Sequence, residues 1–227
     1  MPEPVPMKII ATMHSSFPAK FGIPRQSGLV EALEGRIVLE PEYRQKEAFR
    51  EIEGFSHLWL IWQFSAADDS WRATVRPPRL GGNARVGVFA SRSPFRPNRL
   101  GLSCVRLIRV EYDAPDGPAV VVGGADLLDG TPIYDIKPYI PVADCHPEAA
   151  QGYTAQTRVY ALSVEIPAAL LEKIPPEKRD ALQGVLAGDP RPGYAEDPDR
   201  EYGLQFAGME IGFRVAGGVL TVTRVEG

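Results

Sequence analysis

Apolar residues along this chain come in runs of strand length cut short by prolines and glycines, and only twice do they recur at helical spacing. Lys8–Met13 and Gly35–Leu39 predict the first two strands. Phe55-Ser-His-Leu-Trp-Leu-Ile-Trp-Gln-Phe64 is too apolar for a strand with one wet face, so it predicts a central one, in which His57 and the tryptophans read as core before catalysis. Leu102–Tyr112 and Ala119–Leu128 predict an antiparallel pair around the turn Asp113–Pro118. The alternation of Cys104, Arg106, Ile108 and Val110 against Val105, Leu107 and Arg109 is imperfect, which a curved or closed sheet would explain. Helical spacing is confined to Tyr43–Ile52, closed by Gly54, and Pro176–Ala187, opened by proline and closed by Gly188. A strand over Arg158–Ile166 and a hairpin of Met209–Val215 and Val219–Val225 complete the pattern. The expected architecture is mainly β with a small α+β appendage, a β-rich domain over 1–150 and a smaller α/β domain over 151–227.

Composition narrows the setting. The 227 residues can bury a sizeable core, and no apolar run approaches the roughly 20 residues that span a bilayer. The opening Met1-Pro-Glu-Pro-Val-Pro6 is unlike a signal peptide, so a cytoplasmic location with no membrane partner is the expectation. Cys104 and Cys145 make neither a disulfide framework nor a four-ligand zinc site, and no metal is expected. A net charge of −4 argues against non-specific coating of nucleic acid, although it leaves room for a local RNA-binding face.

Such a face is suggested by Ser70–Val110, which carries Arg72, Arg76, Arg79, Arg85, Arg92, Arg96, Arg99, Arg106 and Arg109 with no Asp, Glu or Lys. Guanidinium groups are forked donors suited to phosphate and carboxylate; the alternative is a solvated surface paired with acids elsewhere. Within the segment, Gly81-Gly-Asn83 begins a turn, and Ser91-Arg-Ser-Pro-Phe-Arg-Pro-Asn98 follows a short apolar alternation. Prolines 94 and 97 push Ser93 and Arg96 towards extended backbone, so Arg92, Arg96 and Arg99 are expected on a stiff loop between two strands. Pro24 does the same for Ile23 ahead of Arg25 and Gln26.

The second unusual segment is Asp126–Asp144, with prolines 132, 138 and 141 and four aspartates. It reads either as a pocket wall or as a proline-pinned edge strand. Phosphate-cradling and dinucleotide-binding glycine motifs are missing from the sequence, as is a nucleophile elbow, and His14, His57 and His146 have no triad spacing. What remains is a site of arginines, aspartates and ordered backbone, suited to positioning a ligand rather than to acid–base work. Methyl transfer from a sulfonium fits that style, with Asp126, Asp129 or Asp135 able to bind cofactor hydroxyl or amino groups, but composition alone does not reach it.

The segments Phe21–Val30, Phe55–Trp59, Trp71–Ala90, Arg92–Asn98, Asp126–Tyr139 and Asp189-Pro-Arg-Pro-Gly-Tyr194 resemble, in order, those of the TrmO family, also called TsaA-like or YaeB-like. The resemblance implies an N-terminal β-barrel that is neither Rossmann nor knotted, a smaller C-terminal α/β domain and a homodimer. It implies an S-adenosylmethionine-dependent methyltransferase acting on N6 of N6-threonylcarbamoyladenosine at position 37 of tRNA, beside the anticodon. By match to the family's segments, the cofactor is expected against Pro24, Arg25, Gln26, Ser65, Ala66, Arg92, Leu102, Gly123, Gly124, Ala125 and Asp126. Arg99-Leu100 stands where the family usually has Pro-Ile, and His14-Ser-Ser16 where Arg-Ser-Pro is usual.

The catalytic expectation is in-line transfer, with Arg92, Arg96 or Arg99 gripping the threonyl carboxylate and a nearby carboxylate, Asp129 among them, or the substrate's own taking the N6 proton. Arg92 is placed on the cofactor wall, with Arg96 and Arg99 towards RNA. Phe95, Trp71 and Tyr139 are candidate stackers for splayed anticodon-loop bases, each also a candidate core residue. The alternatives are a non-enzymatic dimeric nucleotide- or RNA-binding protein and a methyltransferase with a different substrate.

Overall fold

The computed structural model describes residues 3, 5–77, 80, 84–156, 161–191 and 197–227. In chain order its first eight strands are β1 (Ala11–His14), β2 (Glu34–Leu39), β3 (His57–Gln63), β4 (Thr74–Val75), β5 (Val86–Gly87), β6 (Leu100–Glu111), β7 (Ala119–Gly123) and β8 (Thr131–Pro138). Six of them close into a barrel in the order β1-β2-β7-β6-β3-β8, every neighbouring pair antiparallel. The expected central strand is β3, hydrogen-bonded to β6 on one side and β8 on the other. Its inward Leu58, Leu60 and Trp62 are buried, while His57, Trp59 and Ile61 are half-buried on the outer face. Met13, Ile37, Leu58, Leu60, Val120 and Ile133 fill the interior without solvent exposure, each contributing about 1.5–3 kcal/mol through burial.

The slipping alternation in β6 has a local cause. The register against β7 shifts between Leu107 and Arg109, leaving Ile108 as an extra residue, a bulge that bends the strand as closure of a small barrel requires. At the other end of β6 a Cβ on Gly101 would lie 2.3 Å from the Trp62 ring, so only glycine lets that indole fold over the strand.

Two expectations change. Tyr43–Ile52 is not one amphipathic helix but part of a chain of 3₁₀ turns at Pro41–Tyr43, Lys46–Phe49 and Ile52–Gly54. Only Phe49 is buried among these turns, and Glu51 takes a left-handed φ of 67° that an α-helix does not admit. The Asp126–Asp144 segment is neither wholly pocket wall nor edge: from Thr131 to Pro138 it is a barrel stave bonded to both β1 and β3, and then turns into the short helix α1 (Pro141–Asp144).

The C-terminal sheet has the order β10 (Tyr202–Phe206), β11 (Met209–Ala216), β12 (Val219–Glu226), β9 (Ser163–Glu165), with β9 parallel to β12. The expected hairpin is β11–β12, and β10 is an additional strand. The expected helix is α3 (Pro176–Ala187), preceded by α2 (Ala168–Leu171), and α3 buries Ala181, Leu182, Val185 and Leu186. Arg79, the Gly81-Gly-Asn83 turn, the Arg158–Tyr160 part of the expected strand and the Pro192–Tyr194 part of the expected loop lie outside the described residues. The second core is not made of C-terminal residues alone: Phe17 and Leu33 are buried in it, with Phe21, Ile23 and Val30 packed against it.

Candidate cofactor cavity and arginine groove

Four stretches of chain converge beside the barrel on a cavity of about 470 Å³, within the range for small-molecule sites. The β1–β2 connection contributes Lys20 and Ile23–Gln26, and the end of β3 contributes Trp62–Ala67. The β5–β6 loop contributes Ser91, Arg92, Pro94 and Arg96 and runs into Leu100–Leu102 of β6. Asp126, Leu128 and Thr131 close the lining. The wall is largely apolar, with cations on two of these stretches, the β1–β2 connection and the β5–β6 loop, and a carboxylate at Asp126.

That carboxylate is held from beneath. Trp62 donates its indole N–H to Ser103 Oγ at 2.9 Å, and Ser103 donates to Asp126 Oδ1 at 2.6 Å. Ser103 is 1 % exposed, so both of its bonds are made inside the barrel wall. Burial pushes the Asp126 carboxyl above the usual aspartate range, against the pull of Ser103, the Ser27 amide and the charge of Arg92. A half-buried carboxylate opposite a guanidinium is suited to a ligand bearing both signs of charge.

A second concavity of about 1250 Å³ adjoins the first and shares Arg25, Gln26, Ser91, Arg92 and Pro94 with it. Among the described residues its lining includes Arg25, Arg72, Arg76, Arg85 and Arg92 and no acidic residue. Arg72 lies over the Phe95 ring at 4.2 Å from its centroid, and Arg85 donates to Thr74 Oγ1 at 2.9 Å. Arg92 donates to Gln26 Oε1, so this pair stands on the boundary of the two spaces. Among the described arginines between Ser70 and Val110, only Arg99 and Arg109 form salt bridges, so the segment is not a face neutralised by acids from elsewhere.

Of the expected cofactor residues, Pro24, Arg25, Gln26, Ser65, Ala66, Arg92, Leu102 and Asp126 all line the cavity. Gly123, Gly124 and Ala125 do not; they lead the chain to Asp126, with Gly124 in a left-handed φ of 75° against Gly28. Asp129 is outside both linings and accepts the Ser15 amide at 2.9 Å, with His14 Nδ1 at 3.6 Å. Asp135 faces Lys137 at 2.9 Å, on the stave rather than in the cavity. Arg96 lines the cavity, but its guanidinium donates to the carbonyls of Ser91 and Val88, bracing its own loop. Arg99 donates to Ala67 O at 2.7 Å and pairs with Asp69 at 2.5 Å. Neither Arg96 nor Arg99 lines the arginine groove, which differs from their expected orientation towards RNA. Of the candidate stackers, Phe95 lines the groove beneath Arg72, Trp71 is exposed, and Tyr139 packs on Trp59 and His57.

The residues that sequence reasoning missed are Trp62 and Ser103. Their signal was available: a hydroxyl at an inward position of a strand whose other inward side chains are apolar needs a buried partner. Among the described residues no group of three or more His, Cys, Asp or Glu could hold a metal ion, and no helix is long and apolar enough to cross a membrane.

Comparison with known proteins matches residues 12–145 to the tRNA-methyltransferase O N-terminal domain and residues 154–227 to the TrmO C-terminal domain. The tRNA (adenine(37)-N6)-methyltransferase of Escherichia coli K12 is 40 % identical over 226 residues, covering 96 % of each chain. A putative S-adenosylmethionine-dependent methyltransferase of Pseudomonas aeruginosa is 38 % identical over 211 residues, covering 89 % of each. The crystal structure of TrmO from Pseudomonas aeruginosa superimposes with a TM-score of 0.80 at 30 % identity, covering 99 % of this chain and all of that one. With both family models matched in sequence order and the first spanning more than half of the chain, the protein belongs to the tRNA-methyltransferase O family.

Proposed function

We propose that the protein transfers a methyl group from S-adenosylmethionine to N6 of N6-threonylcarbamoyladenosine at position 37 of tRNA. The observation that carries this reading is the adjacency of an apolar cavity holding a half-buried carboxylate and a larger groove lined by arginines, with Arg92 and Gln26 on the boundary. The residues present fit the cofactor: Leu102 and Phe64 offer apolar contact to an adenine, Asp126 an acceptor for amino or hydroxyl groups, and Arg92 or Arg25 a donor for a carboxylate. When bound, the cofactor supplies a methyl carbon already activated by positively charged sulfur, whose bonding pair leaves with the sulfur as the new N–C bond forms.

The chain's own residues then position the reactants. Arg92, tied to Gln26, presents its fork where the groove meets the cavity and holds the threonyl carboxylate of the substrate. Arg96 fixes the loop that carries Arg92 by bonding two of its carbonyls. The N6 proton, acidified by the acyl group, passes to the substrate's own carboxylate or to a cavity carboxylate. The partner is the anticodon loop, its phosphates meeting the arginines of the groove and its bases meeting Phe95. The protein acts as a homodimer in the cytoplasm.

Labelled methyl transfer to tRNA from cells lacking this gene, followed by mass spectrometry of the nucleosides, tests the reaction. Methylated threonylcarbamoyladenosine is the expected product. Binding of cofactor and tRNA without transfer would instead identify a binding protein, and methylation of another nucleoside would reassign the substrate.

The groove also predicts the salt response. If its five arginines each neutralise one phosphate of a single-stranded loop, log Kd against log salt should have a slope of magnitude about 3.5. Arg72→Gln and Arg85→Gln should each reduce that magnitude by roughly 0.7, measured by filter binding over a salt series. A flat salt response excludes the groove as the phosphate contact.

A further inference from the structure

The β1–β2 connection, which carries Pro24, Arg25 and Gln26, is shaped by the C-terminal sheet as well as by the barrel it leaves. Phe17 and Leu33, at the two ends of the segment, are 1 % and 2 % exposed within the C-terminal core. The Phe17 ring meets Phe206 edge-on at 5.5 Å, and Phe21 stacks on Phe213 at 6.5 Å with the planes 14° apart. Ala207 N donates to Ser16 O at 2.8 Å. Gly22 has a φ of +91° and approaches Leu204 so closely that a Cβ would lie 2.2 Å from its Cδ1. Only glycine satisfies both conditions.

The barrel side holds both flanks of the tripeptide, with Asp129 N donating to Phe17 O at 2.8 Å and Lys20 Nζ donating to Ala66 O before it. Cys104 N donates to Ser27 Oγ at 3.1 Å and Gly28 N to Gly124 O at 2.9 Å. Ile23 packs on the C-terminal core, so Pro24, Arg25 and Gln26 are the bridge between two anchorages on different cores. These are also residues that line the cavity, and Arg25 and Gln26 line the groove as well.

We infer that Leu204, Phe206 and Phe213 of the C-terminal sheet are positioning residues for the cofactor cavity, acting through Phe17, Phe21 and Gly22 to set the path of Pro24–Gln26. The inference rests on reading the cavity as the S-adenosylmethionine site. It gives the C-terminal domain a part in binding the small molecule. A rigid wall assembled from two cores holds its groups in place before the ligand arrives, which lowers the ordering cost of binding.

Two mild core substitutions test this in the full-length protein. Leu204→Val trims the methyl groups beneath Gly22 and suits a strand, and Phe213→Leu removes the ring beneath Phe21. Hydrogen exchange of the cofactor-free protein should show the amides of residues 21–27 opening about 10-fold more readily in either variant, with the barrel strands unchanged. Titration with S-adenosylmethionine should show Kd rising about 10-fold or more, since small displacements of positioning groups are felt strongly. Unchanged exchange over residues 21–27 in a variant whose melting temperature has fallen would overturn the inference, making the C-terminal contacts structural alone. So would faster exchange with unchanged Kd. A wild-type protein that binds no S-adenosylmethionine while its variants show the exchange change would instead refute the cofactor reading and leave the keying of the segment in place.

Discussion

Arg92→Ala should lower kcat/KM on modified tRNA by about 100- to 1000-fold, the loss that accompanies removal of one aimed donor in an active site. Arg92 is shared by the cavity and the groove, is tied to Gln26, and acts electrostatically on Asp126, so its removal unsettles both walls. Arg92→Lys keeps the charge but not the planar fork and should recover only a small part of the activity. Arg96→Ala is the informative companion, because Arg96 bonds backbone carbonyls and should act through loop order, with a smaller loss. Single-turnover kinetics at saturating cofactor separate these cases. An Arg92→Ala enzyme within a factor of three of wild type would remove Arg92 from the mechanism.

The second large effect is expected at Asp126. Asp126→Asn preserves shape and can still accept from Ser103, yet loses the charge, so S-adenosylmethionine should bind about 10- to 100-fold more weakly, as for loss of a charge-assisted hydrogen bond. The pH dependence has a definite sign. Burial raises this carboxyl, and Arg92 across the cavity lowers it only in part. A cationic ligand prefers the ionised form, so wild-type affinity should climb as pH rises through the raised pKa and level off above it. In the Asn variant that step should vanish. Without ligand, folding favours the protonated carboxyl, so Asp126 supports stability most below its unfolded pKa and loses that contribution as pH rises through the folded one. Asp116 behaves oppositely: the Arg36 fork holds it down at about 2, so its contribution is present above the unfolded pKa and fades as pH falls towards that value. Titration calorimetry from acid to neutral pH distinguishes the two carboxylates, and an affinity flat across that range would exclude Asp126 from the ligand.

Barrel strands were legible where both faces had to be buried or where turns were marked by proline and glycine, as in His57–Gln63 and the β6–β7 hairpin. Even the irregular alternation around Ile108 was a true signal, since a bulge costs the strand its period. Tyr43–Ile52 misled because apolar spacing resembles a helix whether or not the backbone can sustain one, and the left-handed Glu51 carries no compositional mark. Pro24, Arg25, Gln26, Arg92 and Asp126 of the cavity lie within the family-like segments, because contiguous motifs encode contiguous wall. Ser103 was marked in the sequence as an inward hydroxyl in need of a partner, but that the partners are Trp62 and Asp126 is a relation of register rather than of sequence. Arg96 and Arg99 illustrate the same limit: charge predicts an appetite for anions, but nearby carbonyls and Asp69 occupy these guanidinium groups first.

The sharing of Phe17 and Leu33 with the second core also bears on how the chain matures during synthesis. Every strand of the barrel lies between Ala11 and Pro138, so the barrel has its full complement of staves while the C-terminal sheet is still being made. Through that interval the connection after β1 has its contacts to the barrel side, at Phe17 O, Ser27 and Gly28, but not the C-terminal core in which Phe17 is buried and on which Phe21 and Ile23 pack. The wall that Pro24–Gln26 contribute to the cavity therefore gains its second anchorage only once Leu204 through Val222 have been made, long after the segment itself.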